Sequence, residues 1–323
     1  MSKRDRLVGV GLGAGILGAA FLALKYAIRP PTKSPVPDTI SPAIFKTKVL
    51  HTTHGEIVYH EAGSGQPLIF LHTICVGGSS YEWSKVYPDF ALNYRVIAPD
   101  LIGFGESARP KKEMFAEDSV RALAEFIRAT CETPPILVGS GLGAGFAAYL
   151  AGQHPDLAAR LILLMPTGLT EFGQAHISFT TKLVSSIPLL NRFIYRNYQA
   201  TKNSVRSWLM NYGFAEGARV TDEVVDVFTT CAQQYGAENS ILSYYSGHSS
   251  FDLIARIQMT TQPITLLWSE GAGFPPLEWG TRLQALVPRS KLEIIESAGV
   301  LAALESPAQV SEMLRAELQQ VEA

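Results

Sequence analysis

Short, nearly continuous apolar runs alternate with helical patterns over most of the chain after about residue 44. Runs of this kind are typical of strands buried on both faces of a sheet. Eight segments are predicted as strands: Lys46–His51, Glu56–His60, Pro67–His72, Arg95–Pro99, Ile136–Gly139, Arg160–Met165, Pro263–Trp268 and Lys291–Ile295. The segments predicted as helices between them are Glu117–Cys131, Leu142–Gln153, Leu277–Leu286 and Pro307–Val321. This alternation predicts an α/β fold with a mostly parallel eight-stranded sheet and helices on both faces.

The alternation stops between residues 170 and 257. This stretch is helical in pattern, is rich in Tyr, Phe and Ser, and contains no convincing buried strand. We therefore predict a helical cap over 170–257, inserted into a core that is formed by residues 46–169 and 258–323.

The N-terminus has a different pattern. Residues 7–24 carry no charge, and a run of this length is about long enough to cross a bilayer as a helix. The prediction is an N-terminal transmembrane anchor within residues 1–28, followed by a proline-rich spacer over 29–45. A cleaved signal peptide is the alternative. Basic residues flank both ends of the run, so the predicted localisation is a single-pass membrane protein of undetermined orientation.

Composition and charge exclude several classes of protein. The 323 residues are 47% hydrophobic and 17% charged, which is incompatible with a disordered chain, and the net charge of −2 argues against a nucleic-acid binder. The charge is uneven, because residues 1–33 and 172–215 each carry a net +5. The expected partners are the lipid bilayer, an apolar small molecule or a membrane-protein complex. Neither a cofactor nor a metal is predicted, and His51, His54 and His60 are interpreted as edge or surface histidines.

Three motifs lie at the ends of predicted strands and carry a family resemblance. They are Leu71-His72-Thr73, the DxxGxGxS run Asp100–Ser107, and LVGSGLGAG over Leu137–Gly145. In this strand order they resemble the α/β-hydrolase fold family, in the capped branch that includes haloalkane dehalogenase-like and epoxide hydrolase-like proteins. The resemblance implies that a pocket lies between the core and the cap.

The resemblance also assigns positions to a catalytic triad. The family's nucleophile lies in a G-x-S-x-G turn, which reads Gly139-Ser140-Gly141-Leu142-Gly143 here and places Gly141 at the nucleophile position. The acid position falls on Ala272 and the histidine position on Val300. All three triad positions are thus predicted to lack a reactive side chain. Glycine also tolerates the positive φ that such a turn requires.

Three functional hypotheses follow. The first is a membrane-anchored, non-catalytic binding or interaction module with an apolar ligand pocket. Its ligand-pocket and oxyanion region comprises His72, Thr73, Gly141 and Leu142, with the backbone N–H groups of Thr73 and Leu142 as the expected oxyanion donors. The second is a hydrolase of esters, epoxides or haloalkanes that uses displaced groups, with Ser140, His248 and Glu270 as candidates. The third is a subunit of a membrane complex.

Overall fold

The structure is a computed structural model that describes residues 25, 27–31, 42, 44–173 and 176–319. One eight-stranded sheet runs through it in the order β1-β2-β4-β3-β5-β6-β7-β8. The strands are β1 (Lys46–Thr52), β2 (Gly55–Ala62), β3 (Pro67–Leu71), β4 (Arg95–Pro99), β5 (Ile136–Ser140), β6 (Arg160–Leu164), β7 (Ile264–Ser269) and β8 (Ser290–Ile295). β2 pairs antiparallel with both β1 and β4, and all other neighbours are parallel.

Helices cover the sheet and form an insertion between β6 and β7. All five residues of β3 and of β5 are buried, because helices pack on both faces of the central strands. The core helices are α1 (Ala116–Thr130), α2 (Gly141–Gln153), α9 (Leu277–Leu286), α10 (Ala302–Glu305) and α11 (Pro307–Gln319). The inserted helices are α3 (Phe179–Ser185), α4 (Leu190–Ile194), α5 (Lys202–Trp208), α6 (Asp222–Gln233), α7 (Ala237–Ser246) and α8 (Leu253–Gln258). We call this insertion the cap.

The predicted mostly parallel, eight-stranded sheet is confirmed. The predicted transmembrane anchor, and with it the single-pass membrane localisation, is corrected. Among the residues that the structure describes, no helix is long and apolar enough to cross a bilayer. Residues 1–24, which hold most of the predicted anchor, lie outside the described residues, as does most of the predicted spacer.

Three basic residues of the cap form ion pairs with acidic residues on later helices. Lys202 and Arg206 on α5 form ion pairs with Asp226 and Asp222 on α6, and Arg196 pairs with Glu238 on α7. The excess positive charge of residues 172–215 is therefore partly balanced by the segment that follows it, and these ion pairs connect helices within the cap.

Candidate active site and ligand cavity

A sharp turn between β5 and α2 forms the base of the site. The strand ends at Ser140, and the helix begins at Gly141, whose φ is +52°. The outer glycines permit close packing at this turn. A Cβ atom on Gly139 would lie 2.7 Å from the Ala144 Cα, and one on Gly143 would lie 2.3 Å from the His72 carbonyl oxygen. The glycine pattern therefore has a steric reason that is independent of catalysis.

The side chain of Thr73 fills the space beside Gly141. A Cβ atom built on Gly141 would lie 2.1 Å from the Thr73 Oγ1 and 3.1 Å from its Cβ. Heavy atoms that are not bonded do not approach to 2.1 Å, so a side chain at position 141 and the present Thr73 rotamer exclude each other. The hydroxyl of Thr73 thus lies where a nucleophile at this turn would project.

A cavity of about 630 Å³ opens above this turn, between the core and the cap. Thr73, Gly141 and Leu142 line its base, and Trp208, Phe214 and Tyr244 are among its cap residues. Val300 also lines it, as do Gly271 and Gly273 on either side of the nearly buried Ala272. Two of the three positions that the family resemblance assigns to a triad, Gly141 and Val300, therefore line this cavity, and the third, Ala272, lies between two lining residues.

Glu82 is a buried carboxylate behind Thr73 that no motif in the sequence indicates. Its Oε2 accepts a hydrogen bond of 2.7 Å from the Thr73 N–H, and the residue is 1% exposed. Burial raises the pKa of Glu82 to about 7, although the Ser140 side chain and the Thr73 N–H favour the charged form. The Thr73 N–H, one of the expected oxyanion donors, is therefore already engaged by a carboxyl group.

His72, which was predicted to belong to the ligand pocket, does not line the cavity. It is fully buried, its Nδ1 donates to the Thr73 carbonyl oxygen at 2.7 Å, and its Nε2 accepts from the Leu101 N–H at 3.0 Å. Burial lowers the pKa of His72, so the neutral tautomer with a proton on Nδ1 satisfies both bonds. The imidazole connects the ends of β3 and β4 and thereby helps to position Thr73.

The three displaced catalytic candidates lie apart from the cavity lining. Ser140 is fully buried below the turn, and Glu270 is exposed after β7. The ring of His248 packs against that of Phe115 at a tilt, with a centroid separation of 4.7 Å, and lies 3.7 Å from the carboxylate of Glu113. Within the described chain, none of the three is among the residues that line the cavity. The structure does not bring them together into a catalytic arrangement there.

Glu305 connects the cap to the loop that carries Val300. Its carboxylate accepts hydrogen bonds from the backbone N–H groups of Ala215, Glu216 and Gly299, at 2.7 to 2.9 Å. Ala215 and Val300 both line the cavity, so this buried carboxylate fixes two segments of the cavity wall relative to each other.

Replacing Glu305 with glutamine should therefore weaken the hydrogen bonds that connect these two segments of the cavity wall. The amide keeps one acceptor oxygen but loses the charge and the second acceptor, so we expect a loss of about 1–2 kcal/mol in the free energy of unfolding. Urea denaturation measures this change, and hydrogen exchange at Glu216 and Gly299 should show faster local opening. Unchanged exchange at both amides would contradict the proposed bridge.

One group of side chains has the composition of a metal site. His60, Asp100 and Glu106 present ligand atoms within 4.8 Å of one another. Both carboxylate oxygens of Asp100 already accept backbone hydrogen bonds, from Ser80 and Glu106, at 2.7 Å. These bonds hold the Asp100–Ser107 loop, which is a sufficient structural role for the carboxylate.

Comparison with known proteins agrees with this architecture. The sequence model of a family described as "alpha/beta hydrolase fold" matches residues 66–212. An uncharacterized Mycobacterium tuberculosis protein is 26% identical, with 85% of this chain and 80% of that protein aligned. Epoxide hydrolase 3 of Xenopus tropicalis is 25% identical, over 96% of this chain and 92% of its own length.

Solved structures show the same fold. A serine hydrolase involved in carbazole degradation superposes with a TM-score of 0.71 at 22% identity, and the match covers 85% of this chain and 99% of that one. The sheet order, the strand–helix turn at Gly141, the cap and these matches lead to one conclusion: the chain has the α/β-hydrolase fold.

Proposed function

We propose that this protein binds an apolar small molecule in the cavity under the cap and does not hydrolyse it through a Ser-His-acid triad. The observation that carries the proposal is the contact between Thr73 and Gly141. The Thr73 hydroxyl lies where a nucleophile would project, and a side chain at Gly141 would collide with it. Triad chemistry also needs a base that takes the nucleophile's proton, whereas valine stands at the cavity position that the resemblance assigns to histidine.

The cavity is suited to binding by its size and its walls. Its volume of about 630 Å³ is within the usual range for small-molecule sites, and its walls are mostly apolar and aromatic. A few polar groups, among them Thr73, Thr167 and Asn211, can orient a ligand. Burial raises the pKa of the Tyr244 hydroxyl, which keeps this group protonated and able to donate a hydrogen bond.

The test combines a turnover assay with a binding assay on the full chain. Hydrolysis of p-nitrophenyl butyrate and of styrene oxide should not exceed the rate in buffer. Binding of the neutral dye Nile red should be detectable by its fluorescence. Gly273→Trp should weaken that binding at least tenfold, because Gly273 lines the cavity and an added Cβ meets nothing within 4 Å. Leu92→Trp, at a 94% exposed position, is the matched control and should bind like the wild type.

Each assay has an outcome that overturns the proposal. Turnover that disappears in Ser140→Ala would establish the alternative, a hydrolase that uses displaced groups. Dye binding that is equal in Gly273→Trp and Leu92→Trp would place the ligand outside the cavity.

A further inference from the structure

A second cavity in the cap adjoins the first. It has a volume of about 330 Å³ and shares four lining residues with the larger cavity: Ile74, Cys75, Trp208 and Tyr244. The two spaces are therefore neighbours that meet at these four residues. A ligand seated at Thr73 can extend toward the second cavity if it passes Trp208 and Tyr244.

A third cavity continues in the same direction. Its volume is about 260 Å³, and it shares Gln199 and Tyr245 with the second cavity. Its walls come from α3, α4 and α7, together with Gln199. The three spaces thus follow one another from the turn at Gly141 into the outer helices of the cap.

The chemistry of the walls restricts the ligand. Over the described part of the chain, the residues that line the three cavities include no Asp, Glu, Lys, Arg or His. A charged head group would therefore lose its hydration without gaining an ionic partner. An anionic head at Thr73 would also lie near Glu82, whose carboxyl group accepts the hydrogen bond from the Thr73 N–H.

We propose that the three cavities form one binding track for an uncharged amphiphile with a single unbranched chain. The polar head, such as an alcohol, ketone or ester, contacts the Thr73 hydroxyl. The chain passes Trp208 and Tyr244 into the second cavity and then Gln199 into the third. This inference rests on the proposed binding function and adds the class of ligand and its direction in the site.

Competition against Nile red with a series of primary alcohols from 1-hexanol to 1-dodecanol tests the track. Each buried methylene should improve the affinity about fourfold. In Gln199→Trp, an indole at the junction of the second and third cavities should make the affinity stop rising at a shorter chain. Leu92→Trp should reproduce the wild-type series. At pH 8.5, dodecanoate should bind at least tenfold more weakly than 1-dodecanol.

The outcomes separate the two proposals. If Nile red itself does not bind, or binds equally to Gly273→Trp and Leu92→Trp, the proposed binding function fails. If Nile red binds in the cavity but no alcohol displaces it, only the track is wrong. If the alcohols bind but the affinity is independent of chain length, or if Gln199→Trp leaves the length dependence intact, only the track is wrong. Dodecanoate that binds as tightly as 1-dodecanol would overturn the restriction to uncharged ligands.

Discussion

Replacing Gly141 with alanine should destabilise the protein by about 3 kcal/mol, and Thr73→Ala should remove more than 1 kcal/mol of that loss. Two effects destabilise the Gly141→Ala variant. A non-glycine residue at φ +52° carries backbone strain of about 1–3 kcal/mol, and the new methyl group collides with Thr73 Oγ1. Only the strain and the milder 3.1 Å contact with the Thr73 Cβ remain in the double variant.

Urea denaturation of the four proteins in this cycle gives the coupling energy directly. Gly273→Ala is the matched control, because its added Cβ meets nothing within 4 Å and its backbone has no positive φ. That substitution should leave the free energy of unfolding within about 1 kcal/mol of the wild type. Additive effects of Gly141→Ala and Thr73→Ala would show that Thr73 does not fill the space beside the turn.

The architecture of the core could be predicted from the sequence because its signals are local. Continuous apolar runs such as Pro67–Leu71 and Ile136–Ser140 are buried on both faces in the structure, and that burial is what their composition indicates. The positive φ expected at Gly141 is also observed. The glycine at position 141 reveals a steric requirement at its own position. Nothing in the sequence identifies Thr73 as the residue that fills the space beside it.

The contacts that define the site are between residues far apart in the chain, and the motifs carry no sign of them. Thr73 and Gly141 follow different strands and meet only because β3 and β5 are neighbours in the sheet. Glu82 lies in the aromatic run Ser80–Trp83, where a single acid offers little reason to expect a buried hydrogen bond to Thr73. Its isolation among apolar and aromatic residues was the one available signal.

The charge of the cap surface also could not be predicted from the sequence alone. Five basic residues without an acid between 172 and 215 suggest a basic surface when the segment is considered alone. In the fold, Asp222, Asp226 and Glu238 lie across from three of them. Charge counted along the sequence therefore overstates the charge of the surface wherever consecutive helices pair.

Replacing Glu82 with glutamine should change how stability depends on pH. The pKa of Glu82 is raised from an ordinary 4.5 to about 7 in the folded protein, so between these values the native state holds a proton that the unfolded chain has released. The protonated Glu82 side chain therefore stabilises the folded protein. This stabilisation is fully present below pH 4.5 and is lost as the pH rises through 7. The loss amounts to about 3 kcal/mol.

Glutamine keeps the shape of the protonated side chain without its titration. The difference in unfolding free energy between Glu82→Gln and the wild type should therefore rise in favour of the variant by about 3 kcal/mol from pH 4.5 to 8. Urea denaturation at successive pH values measures this difference, in which the contributions of other groups, such as His60 and His72, cancel. The exposed change Glu132→Gln should reproduce the wild-type profile.

Parallel profiles for Glu82→Gln and the wild type would show that Glu82 titrates in the native state as it does in the unfolded chain. The carboxyl group would then carry a negative charge behind Thr73 over most of this pH range. A rising difference would instead mean that the carboxyl group is about half ionised near pH 7 and largely neutral at lower pH. A neutral Glu82 still accepts the Thr73 hydrogen bond at 2.7 Å, so the Thr73 hydroxyl keeps its place at the base of the cavity while the charge behind it varies.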